Sequence, residues 1–99
     1  MATLDEITNR FRTAVGADSG LGASVTFDLK GDGFIHIDGG SVTNEDKPAD
    51  CIITVSKDDL EDIAMGRLDP TAAFMTGRLK VSDMGVAMKL IPLLSKAKG

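Results

Sequence analysis

The side chains that most often carry catalysis or bind metal ions are scarce in this sequence of 99 residues, which contains one histidine, His36, and one cysteine, Cys51. His36 alternates with Asp38 on one face of an extended segment, but two ligands are too few for a metal site. Cys51 alternates with Ile53 and Val55, which favours a buried apolar thiol over a reactive one. The sequence therefore predicts no catalytic residues, no bound metal and no cofactor.

Two further patterns match binding motifs only in part. The segment Gly31-Asp32-Gly33 lacks the third glycine of the dinucleotide-binding fingerprint and stands between two expected strands rather than before a helix. Four acidic residues cluster where a helix is expected to begin, a position that favours carboxylates through the helix dipole: Asp58, Asp59, Glu61 and Asp62. We interpret the first pattern as a hairpin turn and the second as a solvated helix start.

Composition and charge are those of a small globular domain, with 42% hydrophobic residues and a net charge of −4. The negative charge and the lack of Trp and Tyr argue against nucleic-acid binding. Residues 1–50 hold four basic and nine acidic side chains, whereas residues 63–99 hold six basic and two acidic ones. This asymmetry is compatible with ordinary solvated charge or with transient contact between the basic C-terminal part and an anionic membrane surface.

Several features predict a cytoplasmic protein. One cysteine excludes an internal disulfide, which fits a reducing compartment. The first residues, MATLDEITNRF, have neither the basic start nor the apolar run of a secretory signal. The longest uncharged apolar stretch is too short to span a bilayer.

The spacing of apolar residues predicts an α+β fold that begins with a helix and a β-meander. The capping-box sequence TLDE at residues 3–6 precedes apolar residues at helical spacing as far as Gly16. From Ser24 the period changes to two, as strands require, and the glycines of residues 31–33 supply a hairpin turn. A short strand follows at residues 41–44. Residues 50–55 are apolar on both faces at Ile52 and Ile53, which suggests a central strand.

The second half predicts two short helices, a strand and a closing helix. Ser56 is a suitable N-cap for the first helix, and Pro70 a suitable first residue for the second. Leu79 and Val81 alternate with basic residues as a last strand, after which Ser82 or Asp83 caps the closing helix.

The closing helix is apolar on nearly every side. Its apolar residues form two stripes, one of Met84, Ala87, Met88 and Ile91 and one of Val86, Leu90 and Leu93, with Leu94 between them. Such a helix must be covered on two sides, and Pro92 is expected to kink or end it. From spacing alone three covers stay open: the core of the domain, an apolar ligand pocket, and an oligomer or partner interface.

The order of residues in the C-terminal half resembles the sterol carrier protein type 2 domain family. The resemblance is carried by ADCIITVS at residues 49–56, LDPTAAFMTGRLKV at 68–81 and MGVAMKL at 84–90. It implies one domain over residues 1–99: a five-stranded, mostly antiparallel sheet covered on one face by helices, with a hydrophobic tunnel between them. The chain is similar to a stand-alone bacterial-type member, because its last residues are not the peroxisomal signal of eukaryotic members.

The resemblance implies non-catalytic binding and possible intermembrane transfer of a lipid, whether fatty acid, acyl-CoA, phospholipid, isoprenoid or sterol. By position it implies eleven residues that contact the ligand: Phe27, Ile53, Leu60, Ile63, Phe74, Met75, Met84, Met88, Leu90, Ile91 and Leu94. The alternative is a protein-interaction or accessory module, such as a lipid-presenting factor for quinone biosynthesis or a homodimerising domain. A monomer or weak dimer is expected.

Overall fold

The computed structural model describes residues 3–96, which form five strands and four helices in the expected α+β order. The elements are α1 (Leu4–Val15), β1 (Val25–Asp28), β2 (Phe34–Asp38), β3 (Ser41–Thr43), β4 (Cys51–Val55), α2 (Lys57–Ala64), α3 (Pro70–Met75), β5 (Leu79–Val81) and α4 (Met84–Lys96). Residues 97–99, part of the C-terminal sequence compared with a peroxisomal signal and including the basic Lys98, lie outside the described residues.

The five strands form one sheet in the order β3-β2-β1-β4-β5. The hairpins between β1 and β2 and between β2 and β3 are antiparallel, as is the pairing of β4 with β5. Because β2 occupies one edge of β1, the other edge is free for β4, which pairs with it in parallel and places Val25 opposite Cys51. The prediction of a mostly antiparallel sheet is confirmed.

One face of the sheet is buried under the helices. Phe27 of β1 and Ile35 of β2 are opposite each other on this face, and the ring centroid of Phe27 lies 5.4 Å from that of Phe11 in α1. Val25 and Ile37 form the neighbouring pair and are fully buried. Helix α1 delivers Phe11 to this face at the helical spacing of Ile7, Phe11 and Val15, and these residues belong to one core that also includes Leu90 and Leu93 of α4.

The opposite face is only partly covered. As predicted, β4 is an interior strand and lies between β1 and β5, but Ile52 is 44% exposed, so only one face of this strand is fully buried. A β-branched residue suits a strand whether or not it is buried. Further along the same row of the sheet, Thr26 donates a hydrogen bond of 2.8 Å to the carbonyl oxygen of Lys47, which draws the β3–β4 loop over the face.

The helix starts follow their capping residues. The side chain of Thr3 accepts from the backbone N–H of Glu6 and completes the predicted capping box of α1. Ser56 caps α2 by accepting from the backbone N–H of Asp59 at 3.1 Å. Asp69 caps α3, with Pro70 in its first turn. The caps at Ser56 and Asp69 define where α2 and α3 begin, and hence where these helices lie relative to β4 and β5.

The start of α4 separates the roles of its two candidate caps. Asp83 Oδ1 accepts from the backbone N–H of Val86 at 3.2 Å, so Asp83 is the residue that caps the helix. Ser82 instead extends the β4–β5 pairing, since its hydroxyl oxygen accepts from the N–H of Ile52 at 2.7 Å. The helix then continues through Pro92 to Lys96. Between residues 3 and 96, no helix combines the length and the apolar character needed to cross a membrane.

Candidate functional site

The two apolar stripes of α4 have different surroundings. Leu90, Leu93 and Leu94 are between 2% and 6% exposed and pack into the core. Met84 and Met88, on the other stripe, are 49% and 63% exposed. The core therefore covers one side of the helix, and the other side borders a cavity.

The cavity lies between α4, helices α2 and α3, and the sheet from β1 to β5. Fourteen of its fifteen lining residues are apolar and the fifteenth is Thr71. Its volume is about 600 Å³ when the space at its open mouth is included. The space in which the centre of a water molecule fits without overlapping the wall is about 80 Å³. One water molecule needs about 10–15 Å³ of such space. The cavity is thus open and apolar, but narrow for a large ligand.

The side chains that line the cavity differ in depth. Phe27, Ile53 and Leu60 are at most 2% exposed and form its floor. Phe74, at 41% exposure, and Met88 stand at its mouth. Because no charged side chain lines the wall, the cavity can hold an apolar molecule by dispersion and by exclusion of water, without a charged clamp.

The structure brings ten of the eleven candidate ligand-contacting residues together around this cavity. Met75 is placed elsewhere: it is 78% exposed and does not line the wall. Contact of the ten with a ligand stays a prediction. The sequence analysis did not select five lining residues: Pro70, Thr71, Leu79, Val81 and Ala87.

Signals for three of the missed residues were present in the sequence. Leu79 and Val81 alternate with basic residues in β5, and their shared face points to the helices and the cavity. Ala87 belongs to the same stripe of α4 as Met84 and Met88. The alternation of β5 and the stripe of α4 together would have placed all three on one wall.

A second hollow adjoins the first beside Ile91 and Leu94 of α4. Its volume, with its open mouth included, is about 620 Å³, and it is reached past Gly66, Leu68 and Asp69. Four residues line both hollows and separate them: Ile63, Pro70, Ile91 and Leu94.

The chemically versatile side chains lie away from this cavity. Cys51 is buried, as predicted, and its thiol donates to the carbonyl oxygen of Asp83 at 3.5 Å. The Thr26 hydroxyl donates its single hydrogen bond to the carbonyl oxygen of Lys47. Towards His36, whose Nδ1 lies 2.8 Å away, the hydroxyl oxygen must therefore accept, so Nδ1 of His36 is the donor. No three His, Cys, Asp or Glu residues within 3–96 are grouped so that they could hold a metal ion.

Comparison with known families and sequences gives a consistent picture. The model of the SCP-2 sterol transfer family matches residues 2–95. Sterol carrier protein 2 of Gallus gallus is 47% identical over 53 residues, which are 52% of this chain and 10% of that protein. The protein of the same name from Oryctolagus cuniculus is 45% identical over the same length. The chain thus matches about a tenth of the length of these curated relatives.

Solved structures show the same fold. Sterol carrier protein 2 from Yarrowia lipolytica, in its apo form, aligns with a TM-score of 0.76 at 23% identity, over 94% of this chain and 90% of that one. Palmitated SCP2L2 from Aedes aegypti aligns with a TM-score of 0.66 at 20% identity, over 95% and 96% of the two chains. These comparisons converge on the family given by the sequence and on the α+β fold described above.

Proposed function

The chain belongs to the SCP-2 sterol transfer family, and on that premise we propose that it binds one long apolar lipid chain under α4 and carries it between membranes unchanged. The observation that carries this proposal is the cavity wall, in which Thr71 is the single polar residue among fifteen. Such a wall selects for apolar surface and offers nothing that would retain a polar solute.

The burial of an acyl chain is sufficient for useful affinity. Each buried CH₂ contributes about 0.8 kcal/mol, so a chain of about 16 carbons gives about 12 kcal/mol before costs. Loss of translational freedom and ordering of side chains cost at least about 4 kcal/mol. The remaining free energy of about 8 kcal/mol corresponds to a Kd near 1 μM. A carrier that must both take up and release its ligand needs affinity of this order.

Fatty-acyl or isoprenoid chains are the ligands we favour. The palmitate of the mosquito protein is a precedent for an acyl chain in this fold. A single alkyl chain fits a narrow space better than a fused ring system, and the hollow behind Ile91 and Leu94 gives it room to extend. A carboxylate or phosphate head group at the mouth would lie closest to the exposed Lys89, which follows Met88 in α4, whereas Lys80 alternates with Leu79 and Val81 and faces away from the cavity.

No catalytic step belongs to this proposal. Apart from the Thr71 hydroxyl the cavity wall carries no nucleophile, and it carries no side chain that could act as a general base. The alternative of an interaction module makes a different prediction, namely a dimer of the lipid-free chain whose interface needs the apolar surface of α4. Light scattering on the purified chain separates the two, since a lipid carrier stays monomeric when empty.

Two substitutions in α4 test the site. We expect Met88→Lys to abolish lipid loading, because it puts an ammonium group on the apolar wall, and Ala87→Phe to do the same by filling the cavity without adding charge. The purified chain is incubated with palmitate and weighed by native and by denaturing mass spectrometry. A mass increment that is present in the first measurement and absent in the second is bound lipid.

Met75→Lys is the matched control, because Met75 is a methionine close to the mouth that does not line the cavity. It is expected to load palmitate as the unmodified chain does. Normal loading of both Met88→Lys and Ala87→Phe would overturn the assignment of the cavity as the binding site. Circular dichroism verifies that each variant is folded.

A further inference from the structure

Thr71, the single polar residue among the fifteen that line the cavity, has a hydroxyl that the protein does not use. The hydroxyls of Thr8 and Thr13 in α1 each donate to the carbonyl oxygen four residues earlier, at 2.7 and 3.1 Å. Thr71 is the second residue of α3 and has no helical carbonyl four residues before it. Within residues 3–96 its hydroxyl makes no hydrogen bond, and the residue is exposed. The hydroxyl is therefore available to a ligand at the rim of the cavity.

The two helices that border the mouth begin with carboxylates of the chain itself. Asp69 Oδ1 accepts from the backbone N–H of Thr71 at 3.3 Å. Asp83, directly before the lining residue Met84, accepts through Oδ1 from the backbone N–H of Val86 at 3.2 Å. Backbone N–H groups at a helix start are donors that attract anions. Here they already hold a negative charge, so they offer nothing to an anionic head group.

No cation of the described chain lines the cavity to offset these carboxylates. Lys80 alternates with the cavity-facing Leu79 and Val81 and lies on the other face of the sheet. Arg78 and Lys89 are exposed and do not belong to the wall. A carboxylate head group at the mouth would thus meet two like charges without a cation in contact with it.

We infer that the cavity prefers a lipid with an uncharged hydroxyl head group, a long-chain primary alcohol, to the free acid with the same chain, and that Thr71 binds this head group. A threonine hydroxyl both donates and accepts, so it can pair with an alcohol in either direction. A carboxylate only accepts, and its charge is repelled by Asp69 and Asp83. The inference rests on the proposed function, because it assigns the head group of the ligand proposed for the same cavity.

Palmitate remains a ligand under this inference, because burial of the alkyl chain supplies most of the binding free energy. The head group discriminates only between lipids whose chains are alike. The suitable comparison is therefore between palmitate and hexadecanol, which have the same number of carbons and differ in the charge of the head group.

Competition between the two lipids measures the preference. The full chain is incubated with hexadecanol and palmitate at equal free concentrations, and native mass spectrometry gives the ratio of the two lipid-bound masses. We expect the alcohol-bound mass to exceed the acid-bound mass about tenfold, because repulsion by a carboxylate about 6 Å away in water is worth about threefold and two such carboxylates border the mouth.

Two substitutions separate the hydrogen bond from the charge. Thr71→Val keeps the shape of the side chain and should weaken hexadecanol binding about fivefold, the effect of one neutral hydrogen bond, without weakening palmitate binding. Asp69→Asn keeps an oxygen that caps α3 but removes the charge, and should strengthen palmitate binding about threefold. Added salt should reduce the effect of Asp69→Asn and leave that of Thr71→Val unchanged, because salt screens charge repulsion.

Asp58→Asn is the matched control for the charge. Asp58 is an exposed residue in the first turn of α2 that lines neither hollow, so its substitution should leave the ratio of the two bound lipids unchanged. Palmitate loading by Thr71→Val verifies that this variant is folded with its cavity intact.

Two kinds of result would overturn the inference. One is an unmodified chain that binds palmitate as well as hexadecanol, or better. The other is a ratio of bound lipids that either Thr71→Val or Asp69→Asn leaves as it is in the unmodified chain. Loading of both lipids without preference would refute the head-group assignment and leave the proposed function intact, whereas loading of neither lipid would refute the proposed function itself.

Discussion

Two positions of α4, Met88 and Leu90, differ in burial although both border the cavity. Leu90 is 2% exposed and packs into the core, although one side of it also borders the cavity. Met88 is 63% exposed and contacts the cavity only from its mouth. We therefore expect a substitution of Leu90 to change mainly the free energy of unfolding, and a substitution of Met88 to change mainly the binding of the proposed ligand.

We expect Leu90→Ala to lower the free energy of unfolding by about 3 kcal/mol, the usual result of truncating a buried leucine. Met84→Ala, at a half-exposed position of the same helix, should change it by less than about 0.5 kcal/mol. Urea unfolding followed by circular dichroism is the suitable measurement, because the chain has no Trp or Tyr for fluorescence. Equal destabilisation by the two changes would contradict the burial described for α4.

The elements differ in how far they could be predicted from the sequence. The start of α1 was predictable because its capping box is a local hydrogen-bond pattern, and the β1–β2 hairpin because its turn is rich in glycine. The exposure of Ile52 was not, since it depends on which face of the sheet the helices cover. The outward direction of Met75 was not either, because the six residues of α3 are too few to define a face by periodicity.

Pro92, in the interior of the closing helix α4, leads to a second prediction about stability. A proline in the interior of a helix removes one backbone hydrogen bond and crowds the carbonyl of the residue four positions earlier, here Met88. Since Pro92 is exposed, Pro92→Ala removes little packing and should raise the free energy of unfolding by about 1–3 kcal/mol.

Pro70→Ala is the control for that experiment, because Pro70 occupies the first turn of α3, where a proline disrupts no helical hydrogen bond. It should stabilise the chain little or not at all. If Pro92→Ala proved neutral or destabilising in urea unfolding, α4 would have to be relieved of the proline's strain in some other way. Slower exchange of palmitate in Pro92→Ala would add that the weakened turn assists opening of the mouth.

Considered as a whole, the molecule couples its cavity to its folding. The cavity wall takes residues from β1, β4, α2, α3, β5 and α4, so unfolding of the domain removes the cavity. A ligand that binds only the folded chain must stabilise it in proportion to the logarithm of its concentration. This linkage provides a measure of binding that needs no label.

Palmitate at about 100 times its Kd should stabilise the fold by about 2.7 kcal/mol. For a domain of this size that free energy raises the Tm by about 10 °C or more. Thermal unfolding by circular dichroism measures the shift, and Ala87→Phe, whose cavity is filled, should show none. An unchanged Tm of the unmodified chain at saturating palmitate would count against the cavity as a lipid site.

The distribution of the cavity wall along the chain has a consequence for biosynthesis. Its floor begins at Phe27, whereas its cover is supplied by residues up to Leu94, so the ribosome makes the floor first and the cover late. While residues 84–94 are still being translated, Phe27, Ile53 and Leu60 have no α4 above them. The cavity in which we propose that a lipid binds is therefore complete only after α4 has been translated.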